Sequence, residues 1–186
     1  EEGNLTAPVY GYRDLRTQGM DEAVYEIIGE EELYEHAGIQ RLSINTIFQL
    51  MAAKKYDMSS LQKAHAMLML PDYFNYRLTG VMKQEYTNAS STGLVNALTG
   101  DWDMDIIRRL HLPDNIFLPI EMPGSFVGRL STGMQKIVGF DCDVYMAASH
   151  DTASAVMAVP TNEDDTLFIS SGTWSLMGIE SLTPVI

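Results

Sequence analysis

The chain has 186 residues, a formal charge of −13 at pH 7 and a 46% hydrophobic composition. That length suffices for one sizeable core, or for one domain and part of another. The charge argues against a polyanion-binding surface, and so against a nucleic-acid partner. No apolar run approaches the ~18 residues of a membrane-spanning helix, so no membrane association is expected. The one cysteine, Cys142, excludes an internal disulfide framework and fits a reducing, cytoplasmic compartment. No cationic region followed by an apolar stretch opens the sequence, and no targeting signal is read from it.

Helical spacing dominates the first two thirds. In residues 21–38, Val24, Ile27, Ile28 and Tyr34 recur at helical intervals, Asp21 is the expected N-cap and Gly38 the stop. The acids of 21–35 read as a solvated face of that helix. Ser43 precedes a second apolar face, Ile44, Ile47, Phe48 and Met51, with Lys54 and Lys55 in the last turn where cations suit the helix dipole. Ser59 and Gln62 have capping-box spacing. Residues 66–80 read as a buried apolar run, then a short helix opened by Pro71 and closed by Gly80. Residues 100–112 predict a capped helix with Ile106, Ile107 and Leu110 inward. Residues 113–130 read as a loop and a short strand, 131–140 as a helix, 143–149 as a buried strand and 152–159 as a helix of small residues packed on it. A polar break at 161–165 precedes two strands, within 166–180, around Ser170-Ser171-Gly172. Trp102 and Trp174 are expected core anchors, Tyr73 and Tyr76 packing residues, and the twelve methionines core filler.

Helices, then strand–helix, then a hairpin make an α/β pattern. In open α/β sheets, ligands bind beyond the carboxyl ends of the strands. Ser149-His150-Asp151-Thr152 stands at such an end and at the start of the next helix. Read alone, Asp151 or Thr152 is an ordinary helix cap. A second polar apex, residues 170–175 (SSGTWS), follows closely. Its backbone N–H groups, hydroxyls and glycine suit a phosphate, although alone it reads as a plain hairpin turn. Taken together, the two suggest a carboxylate facing a phosphoryl group, the arrangement for phosphoryl transfer to a hydroxyl.

Six segments carry a resemblance: YRDLRT (12–17), YEHAGIQRLSINTIFQL (34–50), MLPDYFNYRLTG (69–80), EYTNASSTGLVN (85–96) with DWD (101–103), ASHDTASAV (148–156) and SSGTWSLMG (170–178). The sequence resembles the FGGY family of carbohydrate kinases and, through the last two segments, the branch that phosphorylates L-rhamnulose. The resemblance implies a ribonuclease-H-like (actin-like ATPase) α/β fold, with two domains closing on ATP, Mg²⁺ and a small-molecule ketose. It makes Asp151 the catalytic base, His150 and Thr152 sugar-binding neighbours, and Gly172 with Thr173 an ATP phosphate turn. The family's glycine-rich first phosphate loop and its adenosine-binding part match nothing in these residues. The sequence therefore reads as an internal piece: residues 1–160 as the rear of the first domain, and 161–186 as the first hairpin of the second. No metal ligand is assigned. Such a piece is expected to be inactive alone and to self-associate.

Other readings remain open at this point. Another ketose, such as fuculose or xylulose, would suit the same motifs. A non-catalytic sugar or nucleotide sensor of the same fold could dispense with Asp151. An acid-rich helical interaction module would leave both polar apices without a role.

Overall fold

The computed structural model describes residues 3–161 and 166–184. A 3-10 turn at Leu15–Thr17 leads to α1 (Met20–Tyr25), α2 (Glu30–Ala37), α3 (Thr46–Tyr56), α4 (Met58–Lys63) and α5 (Leu70–Thr79). Next come β1 (Gln84–Glu85), α6 (Tyr86–Ala89), α7 (Met104–Arg109), β2 (Ile120–Glu121), β3 (Phe126–Arg129) and α8 (Thr132–Val138). The chain continues through β4 (Asp143–Tyr145), α9 (Asp151–Met157), β5 (Leu167–Ser171) and β6 (Ser175–Ile179). The longest of these helices has 11 residues, below the ~12–15 an isolated helix needs in water, so burial holds them. Among the described residues, no helix is long and apolar enough to cross a membrane.

The core gathers around α3. Ile47 and Phe48 are buried in one cluster with Met20 and Val24 of α1, with Ile28 in the break that follows it, and with Leu94, Ile106, Ile107, Leu110 and Ile116. Each fully buried side chain of this kind contributes about 1.5–3 kcal/mol. Tyr25 meets Phe48 edge-on at 6.4 Å between ring centres. Trp102 anchors this core as expected, its indole N–H donating to the Leu118 carbonyl at 2.6 Å. Among the methionines, Met20, Met51 and Met146 are buried, but Met122, Met157 and Met177 are exposed, so core filling is the role of only some.

The single helix expected over 21–38 is two. The chain leaves α1 after Tyr25 and re-enters helix at Glu30. Arg109 holds the break open: its guanidinium donates to the Ile27 carbonyl at 3.1 Å and pairs with Glu32 at 2.5 Å. Gly19, not Asp21, is the N-cap of α1, while Gly38 ends α2 in the left-handed region as expected. Two caps also move. Asn45 replaces Ser43 at the start of α3, accepting from Leu42 N–H at 2.7 Å. Asp57 caps α4 by accepting from Ser60 N–H, displacing the Ser59–Gln62 box. The α5 reading holds, with proline in the first turn and Gly80 at φ 80°. The run before it is half-buried rather than buried.

Among the described residues the strands form three pairs. β1 and β2 are parallel, joining Gln84 to Ile120 and Glu85 to Glu121. β3 and β4 are antiparallel, with the register broken between Phe126 and Gly128, and α5 packs on them. β5 and β6 form an antiparallel hairpin from Leu167↔Ile179 to Ser171↔Ser175. The buried strand expected over 143–149 is shorter and more open: only Asp143–Tyr145 is strand, Asp143 and Tyr145 are exposed, and β3 is its one partner. The next residue, Met146, supplies the anchor at 2% exposure. α9 buries no residue and packs against β5, not on β4 as expected. Trp174 is 54% exposed at the hairpin tip and anchors no core. Of the domain boundary expected near residues 160–165, between segments 1–160 and 161–186, residues 162–165 lie outside the described residues.

Candidate active site

The segment from Met146 to Thr152 is fixed from both sides. On the near side, Met146 N–H donates to Ser125 O at 2.9 Å and Met146 O accepts from Gly124 N–H at 2.8 Å. On the far side stands Glu85, the last residue of β1 and the N-cap of α6. Its carboxylate accepts from Thr87 N–H at 2.7 Å and Asn88 N–H at 3.2 Å, satisfying the open amides of that helix. The same carboxylate reaches 64 positions along the chain to accept from Ser149 N–H at 3.2 Å and Ser149 Oγ at 2.6 Å. Thr87 Oγ1 donates to Glu85 at 2.6 Å and accepts from His150 N–H at 3.1 Å. Asn88 Nδ2 donates to Ser149 Oγ at 2.8 Å. Behind Glu85, the fully buried Asp72 of α5 accepts from Glu85 N–H at 3.3 Å.

The electrostatics follow from this packing. Burial pushes the Glu85 carboxyl up, but the hydrogen bonds from Ser149 and Thr87 outweigh it and hold the group below the usual carboxylate range. At Asp72 the single bond from Glu85 N–H does not offset burial. Burial pushes this carboxyl up to about 6, with the nearby Glu85 charge adding to the rise. Its Oδ1 has no partner, and neither does either polar atom of the Gln84 side chain.

Asp151 opens α9, with His150 as the N-cap residue. Neither Asp151 nor Thr152 is that cap. The Asp151 carboxylate turns onto its own neighbour, accepting from Thr152 N–H at 2.7 Å. The Asp151 side chain is 99% exposed, and His150 Nδ1 lies 3.5 Å from it. A carboxylate so placed is open to a substrate hydroxyl. Gly172 and Thr173 lie at the exposed tip of the β5–β6 hairpin, with Ser171 and Ser175 hydroxyls 3.2 Å apart at its base. A Cβ at Gly172 would meet nothing within 4 Å, so the turn is unobstructed on that side. The Gly172 N–H itself is engaged, donating to Trp174 O at 2.8 Å, contrary to the free amide expected there.

The sequence-predicted residues therefore form two groups. His150, Asp151 and Thr152 share the start of α9; Gly172 and Thr173 share the hairpin tip. Among the described residues no hydrogen bond or ion pair links the groups, and their connection is the packing of α9 on β5. Sequence reasoning assigned no role to Glu85, Thr87, Asn88 or Asp72. The one signal was the clustering of Glu85, Thr87 and Asn88 in a single short motif.

Residues 1–158 match the N-terminal domain of the FGGY family of carbohydrate kinases. The chain belongs to the FGGY family. It is 47% identical over 174 residues to the rhamnulokinase of Oceanobacillus iheyensis, covering 94% of this chain and 37% of that protein. The rhamnulokinase of Halalkalibacterium halodurans is 48% identical over the same shares. That of Mannheimia succiniciproducens is 41% identical over 184 residues, 99% of this chain and 36% of the relative. The chain thus spans a little over a third of the length of these FGGY relatives.

Solved structures agree on the fold. A carbohydrate kinase from Novosphingobium aromaticivorans superposes with TM-score 0.79 at 22% identity, over 99% of this chain and 40% of its own. A xylulose kinase from Rhodospirillum rubrum gives TM-score 0.70 at 18% identity, over 82% of this chain and 31% of its own. This FGGY chain thus has part of the ribonuclease-H-like, actin-like ATPase fold, as the resemblance implied.

Proposed function

We propose that this chain is the part of an ATP-dependent ketose kinase that presents the catalytic base, and that its sugar is L-rhamnulose, converted to L-rhamnulose 1-phosphate. The observation that carries the reading is the exposed Asp151 carboxylate, tethered beside His150 at the start of α9, in a chain 47% identical over 174 residues to a rhamnulokinase. Asp151 takes the proton of the sugar hydroxyl as its oxygen attacks the γ-phosphorus and ADP leaves. His150 and Thr152 contact the sugar. The open face at Gly172 and the exposed Thr173 hydroxyl fit a nucleotide phosphate and would hold it.

Bound Mg²⁺ would neutralise charge on the transferring phosphoryl group. Among the described residues, no three His, Cys, Asp or Glu side chains form a metal site, and no magnesium ligand is assigned to this chain. Residues 1–160 then form the rear of the first kinase domain and 161–186 the first hairpin of the second. The family match ending at residue 158 supports that division.

The test is Asp151→Asn in the full-length kinase. The amide keeps the shape of the group but is no base, so kcat should fall roughly 10²–10⁴-fold. KM for ketose and for ATP should move far less. A kcat loss below about threefold would remove Asp151 from the role of base.

A further inference from the structure

We propose that Glu85 is the positioning residue of the catalytic turn, acting through Thr87 and Ser149 to fix the backbone from which Asp151 projects. The inference rests on the reading of Asp151 as base. Asp151 has little to aim it. Apart from His150 Nδ1 at 3.5 Å, its side chain meets only its own neighbour, Thr152, so its place in space is that of its backbone. The two amides immediately before it are both tied to one distant unit: Ser149 N–H to Glu85 Oε2 and His150 N–H to Thr87 Oγ1.

Capping α6 does not account for a glutamate here. A serine or aspartate would serve as cap without burying a long charged side chain, which is costly unless its hydrogen bonds compensate. Glu85 is 1% exposed. Its Oε1 takes one amide of α6, whereas Oε2 collects Thr87 Oγ1, Asn88 N, Ser149 N and Ser149 Oγ. Two of those four donors belong to the turn. Asn88 adds a second grip on Ser149 Oγ, and Asp72 holds the Glu85 amide from behind. The result is a latch whose fixed half is β1–α6 and whose held half is the base-bearing turn. Misplacing a reacting group by ~1 Å can cost about 10²-fold in rate, which is the scale of effect such a latch can control.

The experiment uses the full-length kinase. Glu85→Gln points an amide NH₂ at N–H and O–H donors, and Thr87→Val removes the hydroxyl that joins Glu85 to His150; Thr87→Ser restores it. Glu85→Gln and Thr87→Val should each lower kcat about 10–100-fold while KM for ATP stays within about twofold, and Thr87→Ser should return to within about threefold of the parent. In an Asp151→Asn background, Thr87→Val should cost less than about twofold further, because its effect passes through the base. A loss from a general fault in folding would persist there. Amide hydrogen exchange reads the latch independently of catalysis: Ser149 and His150 should exchange at least about tenfold faster in Thr87→Val. A kcat within about twofold of the parent in both variants, beside a crippled Asp151→Asn, overturns the positioning role. Unchanged protection of Ser149 and His150 overturns the latch itself, whatever Asp151 does. Should Glu85→Gln fail to fold, Thr87→Val decides.

Discussion

His36 Nδ1 lies 2.7 Å from Asp103 Oδ2, across 67 positions of sequence. The same oxygen accepts from Asn96 Nδ2 at 3.0 Å, and Oδ1 caps α7 through Ile106 N–H at 3.1 Å. Burial pushes the Asp103 carboxyl up, but these donors win and hold it below its ordinary range. Asp103→Ala removes a cap and strands two polar partners together. It should destabilise the chain by about 2–4 kcal/mol, read as a lower urea midpoint with unchanged slope. A loss under about 0.5 kcal/mol, the size of an ordinary surface change, would show that the network contributes nothing.

Asp72 gives a pH signature of the opposite sign. Its folded-state pKa is raised from 3.8 to about 6, so between these values the native chain holds a proton that the unfolded chain has released. Stability therefore falls as pH rises through that window, by about 3 kcal/mol at most. Glu85 and Asp103 are depressed, and what they contribute is lost only as pH falls below their unfolded values of 4.5 and 3.8. Asp72→Asn removes the titration. The difference in melting temperature between parent and variant should shift in the parent's favour from pH 7 to pH 4.5. Parallel Tm curves across that range would refute the assignment.

Thr173→Val tests the nucleotide end of the proposed site. Losing a hydroxyl bonded to a charged phosphate costs about 1.5–3 kcal/mol, or roughly 10–150-fold. In the full-length kinase KM for ATP should rise on that scale, with KM for the ketose little changed. A weakened sugar dependence with normal ATP dependence would move the turn to the sugar site.

The 186-residue chain assayed alone should release no ADP above background from ATP, Mg²⁺ and L-rhamnulose. Phosphoryl transfer requires metal and phosphate-holding elements to be in place together, and the chain spans only 37% of the length of the rhamnulokinase it matches. Light scattering should also report more than a monomer. Ile169, Met177 and Ile179 are 67%, 71% and 63% exposed on the hairpin, and paired apolar strands with open edges invite association. Turnover near 1–100 s⁻¹, the ordinary kinase range, or a clean monomer would each contradict one of these expectations.

Local chemistry decided what the sequence made legible. Pro71 and Gly80 bracket α5 because ring closure and positive φ act within one residue. Asp151 and the hairpin apex stood out because polar residues interrupt apolar runs. The errors share a different cause. The break at Ile27 depends on Arg109, 82 positions away; β1 and β2 are two residues each and meet across a long connection. The hold of Glu85 on Ser149 spans 64 positions. Periodicity has no access to partners so distant. Trp174 misled for a related reason: a large apolar side chain predicts burial, and its place at a hairpin tip leaves it exposed.

The Glu85–Ser149 contact also constrains how such sequences drift. Losing the serine hydroxyl strips one donor from a buried carboxylate, and losing the carboxylate leaves the serine and two α6 amides unanswered. Either single replacement passes through a variant worse than both endpoints, whereas a matched pair need not. The two positions should thus be inherited as a couple, and in descendants a change at one should be accompanied by a change at the other.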